Sequence, residues 1–436
     1  MTEAWQHRSL SFRTSPGGSA LARTLAIAFI LAVALPAAQA QTYTVLHAFM
    51  ATDGALPYAT PAMDEGGNLY GTTYNRTGYD WGTVWKVAFH SSGWTFSTLF
   101  DFPGGYASYP YGGVIFGPDG ALYGATEGSF GKGVVYRLTP PPTFCRSVSC
   151  FWFYGGLYQY AGSGDGAHME GDVVFDAAGN MYATSYAGGL YDGGTVFKLT
   201  PGSGGWTKTV IHDFGNGNDG KFPFSGLVFD KYGNLYGTTT GGGNSSCGSP
   251  YYSCGTVYQL TLSGDTWMES VIYDFHGQAD GSVPYAPLII DDGGNLYGSA
   301  SAQGPTNGGT VFELSPFAGG WTFNLLYAFD YSGYNPWPGP RGNLVMDPAG
   351  TLYGLTSADG ANNSGTIFKL APSGGRYAYS TLYTFCSQTN CSDGGGPVGG
   401  LARDTDDNFY GTTSGGGNTG PSCGNEGCGV VFKFTP

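Results

Sequence analysis

The segment His168-Met169-Glu170-Gly171-Asp172 places an imidazole and two carboxylates at alternate positions. Side chains of an extended strand repeat every two residues, so His168, Glu170 and Asp172 are expected on one face. Converging on a cleft, they suit general acid–base chemistry or would hold a divalent cation. A second polar pair, Arg341 and Asn343, stands in a matching stretch further along. An arginine there would neutralise a substrate carboxylate. A base on one side and a charge clamp on the other are the parts needed for proton abstraction from an acidic polysaccharide. A plainer reading is open beside it: Glu170 and Arg341 form a structural ion pair that plugs a channel, and His168 is a solvated loop residue.

The matching stretches are set by a repeat. Gly-Asn-Leu-Tyr-Gly-Thr-Thr, a glycine-rich gap and Gly-Thr-Val-Phe-Lys-Leu recur seven times, with anchoring tyrosines at Tyr70, Tyr123, Tyr182, Tyr236, Tyr297, Tyr353 and Tyr410. The spacing of 53 to 61 residues is that of a propeller blade. Each repeat holds four short β-type runs divided by turn signals. In the fourth repeat they are Gly226 to Asp230, Asn234 to Thr238, Gly255 to Leu260 and Trp267 to Phe275. The chain stops after the third run of the last repeat, and the missing run is expected from residues 41–49. The predicted fold is therefore all-β: a seven-bladed propeller of four-stranded blades, one domain over 41–436, closed by its N-terminal strand so that no sheet edge is left open.

Aligning the connection between blades, Asp-Gly-x-x-Pro and then an aromatic, gives Tyr58, Tyr111, Glu170, Phe224, Tyr285, Arg341 and Val398 after the proline position. Two positions on come Thr60, Gly113, Asp172, Gly226, Pro287, Asn343 and Gly400. Blades 3 and 6 carry the polar departures in both series. They lie nearly opposite in a ring of seven, so Glu170 and Arg341 are expected to face each other across the channel mouth. The loops around that mouth are rich in aromatics, amides and carboxylates, which suit sugar rings with apolar faces and hydroxyl edges. Tyr79, Trp81, Tyr111, Tyr191, Tyr285 and Trp337 are the ligand-binding candidates; the competing reading is that they pack loops and blade interfaces.

Residues 1–40 read as a secretory signal, with Arg8, Arg13 and Arg23, an apolar stretch from Leu25 to Leu35, and cleavage after Ala40. Without those arginines and Glu3 the mature chain has 14 basic and 30 acidic residues, net −16. That charge excludes nucleic acid, whose phosphates need basic patches. No second apolar run is long enough to span a bilayer. Eight cysteines form close pairs: Cys145 and Cys150, Cys247 and Cys254, Cys386 and Cys391, Cys423 and Cys428. Four local disulfides are expected rather than zinc sites, because the pairs sit in different blades. No cofactor is expected, and calcium is the cation left open. Asp404 to Asn408 has the start of a calcium loop but lacks its glycine and distal glutamate, so it reads as a turn. Arg403, where other blades have an apolar residue, is expected to pair with an inner carboxylate. His47 and His212 read as packing. A serine nucleophile elbow and a phosphate-binding loop are unsupported.

The two recurring blocks resemble the GloVer tandem repeat, named for Gloeobacter and Verrucomicrobia. The resemblance covers nearly all of residues 41 to 436. It implies a propeller-like, secreted bacterial protein and supplies no reaction or catalytic residues. Members with surface anchors carry a C-terminal tail that this chain lacks, so a freely secreted or periplasmic monomer is expected. The expected function is non-enzymatic binding of extracellular glycan or protein through the variable-loop face. The alternatives are a carbohydrate-active lyase or hydrolase using His168, Glu170, Asp172, Arg341 and Asn343, and a purely structural surface protein.

Overall fold

The structure is a computed structural model that describes residues 41–75, 81–142, 152–243, 247, 254–331, 338–420 and 422–436. The signal reading of residues 1–40, Tyr79, Trp337 and the Cys145–Cys150 pair lie outside the described residues.

Seven antiparallel sheets of four strands each form a seven-bladed β-propeller. Blade 4 runs outward through Val228–Phe229, Leu235–Thr239, Thr256–Ser263 and Thr266–Asp274. We name these strands A to D from the channel outward. In blade 7, strands A to C are Ala402–Arg403, Phe409–Thr413 and Val430–Thr435, and strand D is Thr42–Ala48. That N-terminal strand pairs antiparallel with strand C, from Thr42↔Thr435 to Ala48↔Val430. The ring therefore closes as expected, and closure satisfies an edge that would otherwise expose unpaired backbone groups.

The core lies between blades. Phe49 and Ala51, next to the closing strand, pack with Tyr410 and Val431 of blade 7 and with Leu69, Trp85 and Val87 of blade 1. Strand B is buried throughout in every blade, because each of its faces is covered by a neighbouring sheet. This explains the glycine of the repeated Leu-Tyr-Gly. A Cβ at Gly71 would lie 2.3 Å from the Trp85 ring, and one at Gly237 would lie 2.3 Å from the Tyr258 hydroxyl. The aromatic of strand C fills that space, and its burial contributes roughly 2 to 3 kcal/mol per blade.

Each A–B hairpin is held by an aspartate. In blade 4, Asp230 Oδ1 accepts from Tyr232 N and Asn234 N, and Oδ2 accepts from Asn234 Nδ2 and the Tyr236 hydroxyl. Asp404 does the same in blade 7, so its segment is the expected turn. Arg403 departs from expectation. It pairs with Asp407 in its own hairpin, where Asp404 is already taken by the turn.

Three of the expected disulfides are present, Cys247–Cys254, Cys386–Cys391 and Cys423–Cys428. His47 stacks on Phe96 and His212 sits edge-on to Phe214, as packing residues. Among the described residues no helix is long and apolar enough to cross a membrane.

Candidate functional site

The D–A connection sets the mouth of the channel. Leu56, Tyr109, His168, Phe222 and Val283 all have φ between 56 and 63°. The carbonyl of each accepts from the residue just after strand B: Tyr74, Glu127, Tyr186, Thr240 and Ser301 in turn. Backbone bonds thus fix the residue before the proline position, aspartates such as Asp219 and Asp280 hold the start of the connection, and the turn that follows aims the next residues at the axis.

All seven residues aligned after the proline position line one cleft on the axis: Tyr58, Tyr111, Glu170, Phe224, Tyr285, Arg341 and Val398. Its free space is about 60 Å³, room for a few waters. Tyr58 stacks on Tyr111 with centroids 4.9 Å apart, and Phe224 meets Tyr285 at 4.2 Å. Tyr111 also reaches Phe224 of blade 4, past the Glu170 position between them. The Arg341 guanidinium lies 4.7 Å from the Tyr285 ring centroid. Tyr111 and Tyr285 therefore belong to a half-buried collar, and Trp81 packs against Gly104 and the core. Tyr191 is 45 % exposed and stands free of that packing.

The polar candidates divide into two groups. His168 Nδ1 lies 2.8 Å from Glu127 Oε1, and the Tyr74 hydroxyl donates to Glu127 Oε2 at 3.0 Å. The ligand atoms of Glu127, His168 and Glu170 all fall within 4.8 Å of one another. Asp172 does not join them. It lines the same axial cleft as Glu170, but its half-buried carboxylate accepts from Gly113 N at 2.6 Å, tying blade 3 to blade 2. Asn343 is likewise a strut: its Oδ1 accepts from Thr60 Oγ1 at 2.5 Å, and Thr60 Oγ1 accepts from Gly400 N.

Electrostatics mark the first group. Burial pushes the Glu170 carboxyl up to about 8, Glu127 adds to the rise, and Arg341 opposes it. The hydrogen bond to Glu127 raises the His168 pKa against the effect of burial. Burial raises Asp172, opposed by its bond from Gly113. Arg341 thus acts on Glu170 across the mouth, as the blade alignment anticipated.

Glu127 was missed by the sequence reading, although a signal exists: it follows strand B, where the other blades have tyrosine, threonine or serine. Also missed were Phe130, 95 % exposed, and Leu190, 73 % exposed, both in loops of the mouth face. A Cβ on Gly131, the neighbour of Phe130, would lie 2.9 Å from His168 Nε2, so that loop borders the polar group.

The family model of the Gloeobacter/Verrucomicrobia repeat matches residues 152–337 and 248–436, two overlapping stretches that together cover more than half of the chain. The chain belongs to the Gloeobacter/Verrucomicrobia repeat family. No protein with a curated description matches it. Solved structures resemble this repeat protein at low identity. One, provisionally described as a 6-phosphogluconolactonase from Bacteroides uniformis, has a TM-score of 0.46 at 15% identity and covers 74% of this chain and 84% of its own. A protein of unknown function from Dyadobacter fermentans has a TM-score of 0.45 at 10% identity, with 91% and 98% covered. A triple-arginine variant of AofleA from Arthrobotrys oligospora has a TM-score of 0.42 at 11% identity, with 79% and 90% covered. Likeness at this level says nothing about what this repeat protein binds.

Proposed function

We propose that this repeat protein is an extracellular binding propeller that recognises a glycan on its channel-mouth face. The observation that carries the reading is the pairing, on that face, of exposed apolar side chains with a half-buried polar group. Phe130, Leu190 and Tyr191 stand out from the loops of blades 2 and 3, and Glu127, His168 and Glu170 lie beside the Phe130 loop. A sugar ring stacks its C–H face on such side chains and turns its hydroxyls to carboxylate and imidazole acceptors. Secretion is part of the proposal. It is supported by the N-terminal signal pattern and by three disulfides, which persist in oxidising compartments.

Cleavage of a polysaccharide would require a sugar to sit against Glu170, at the floor of a narrow cleft, whereas the exposed side chains around it are reached first. Binding across the face is therefore favoured over catalysis inside it. The test is retention of the purified protein on immobilised plant, algal and bacterial polysaccharides. At least one should retain it, with affinity falling about tenfold in Phe130→Ala and Tyr191→Ala, the loss that ~1.4 kcal/mol of stacking produces. Absence of retention on every polysaccharide, or unchanged affinity in both variants, would sink the reading.

A further inference from the structure

We propose that Glu127, His168 and Glu170 bind a divalent first-row cation, with zinc the best match. The inference starts from the chain's comparison with itself. The residue after strand B is Tyr74, Tyr186, Thr240, Ser301, Ser357 or Ser414 in the other blades, and Glu127 only in blade 2. Before the proline position stand Leu56, Tyr109, Phe222, Val283, Gly339 and Gly396, against His168. After that position the series is aromatic apart from Glu170, Arg341 and Val398. Three separate departures from the repeat, two of them 41 residues apart, bring their ligand atoms within 4.8 Å.

Packing of the fold does not call for this convergence. Two carboxyl groups are held close together here, and Glu170 is half-buried. Among the described residues no hydrogen bond to the Glu170 carboxylate is formed, and Arg341 lowers its pKa by charge. A bound cation would neutralise both carboxylates at once and supply the missing partner. Glu127 is already oriented by the Tyr74 hydroxyl, the kind of outer support that metal ligands have.

The donor set chooses among metals. One imidazole nitrogen and two carboxylate oxygens suit zinc, which takes three or four such ligands and keeps an open position for water. Calcium, the cation left open by the sequence, takes six to eight oxygens, and three residues including an imidazole do not supply them. The few-water space beside Glu170 accommodates the remaining ligand. The site stands on its own geometry and does not depend on glycan recognition.

The experiment is calorimetric titration of the purified, chelator-treated protein with zinc, manganese and calcium chlorides, with no glycan present. One zinc per chain is expected, bound more tightly than calcium, with affinity weakened about tenfold or more in Glu170→Gln and in Glu127→Gln. Both variants remove a negative charge without changing shape, and circular dichroism checks that they fold. His276 pairs with Asp280 at the surface and is a competing spot for zinc, so His276→Ala serves as the control and should leave the affinity unchanged. No stoichiometric zinc, tighter calcium than zinc, or zinc kept at full affinity in either folded variant overturns the site. Glycan retention is read separately, so each proposal fails without the other.

Discussion

The two faces of the propeller meet the same need, closing short turns between strands, with a different share of side-chain and backbone bonds at the positions that face outward. On the hairpin face every blade uses a side chain. Asp64, Asp119, Asp176, Asp230, Asp291, Asp347 and Asp404 each accept from the anchoring tyrosine of their repeat. On the mouth face aspartates such as Asp53, Asp219, Asp280 and Asp393 hold the start of the connection, but the residue before the proline position is fixed by backbone bonds, such as Tyr186 N to His168 O and Thr240 N to Phe222 O. Where a side chain does structural work, the residue repeats seven times. Where the backbone does it, the side chain is free to become tyrosine, valine, arginine or glutamate. The repeated motif therefore marks stability, and departures from the repeat mark the candidate site.

The hairpin side of the comparison is the easier to break. Asp176→Ala removes bonds from Ala178 N, Asn180 N, Asn180 Nδ2 and the Tyr182 hydroxyl, and should cost ~3 kcal/mol in urea unfolding. An unchanged unfolding midpoint would show that these hairpins do not rely on the carboxylate. A smaller loss is expected in the parent as pH rises, with Glu269→Gln as the comparison. Glu269 stands at a strand D position held by Phe96, Phe323 and Tyr379 in other blades. Burial, then Asp219 and Asp274, push its carboxyl from 4.5 up to about 7. The folded protein keeps a proton that the unfolded chain releases, so stability should fall as pH rises from 4.5 to 7. About 2 kcal/mol is expected after allowing for solvent. Thermal unfolding across that window should show the decline in the parent and a flatter profile in the variant; parallel profiles would refute the assignment.

At lower pH the hairpins respond in the reverse direction. Burial alone would raise the carboxyls of Asp64, Asp176 and Asp404, yet bonds from their asparagine and tyrosine outweigh it and hold them below 3.8. That stability is present above pH 3.8 and should be lost as pH falls through the folded values, by ~1 kcal/mol per hairpin. Asp176→Asn should make the acid limb of a pH titration shallower, and an identical limb would contradict the argument. Mouth substitutions complete the contrast. Phe130→Ala and Tyr191→Ala should change stability by no more than ~0.5 kcal/mol while reducing glycan retention. A large stability loss there would erase the distinction between the faces.

Much of the fold was legible because its signals are local. The closing role of residues 41–49 followed from a missing strand with a matching spare, and Thr42–Ala48 pairs as expected. Alignment on the proline position found seven of the residues that line the axial cleft, one from each blade. His168 has a left-handed φ and is not an extended residue, yet it still meets Glu170, so their convergence comes from the turn and not from strand periodicity. Asp172 and Asn343 line the same cleft as Glu170 and Arg341, and what the repeat could not reveal is that they also bond Gly113 N and Thr60 of other blades. Trp81 and Tyr111 looked like platforms, and packing took them into the loops and the collar.

The amino-acid sequence by itself determined the number of blades, their strands, the closure and the ring of residues at the axis, since each depends on contacts within one repeat or between adjacent ones. Only the tertiary structure decided which polar groups meet. Glu127 and His168 reach each other because blades 2 and 3 are packed side by side, and the burial that moves Glu170 comes from rings on several blades. A pattern of residues records what a strand must be, whereas the field and distance at a site are sums over neighbours that only the closed ring brings together.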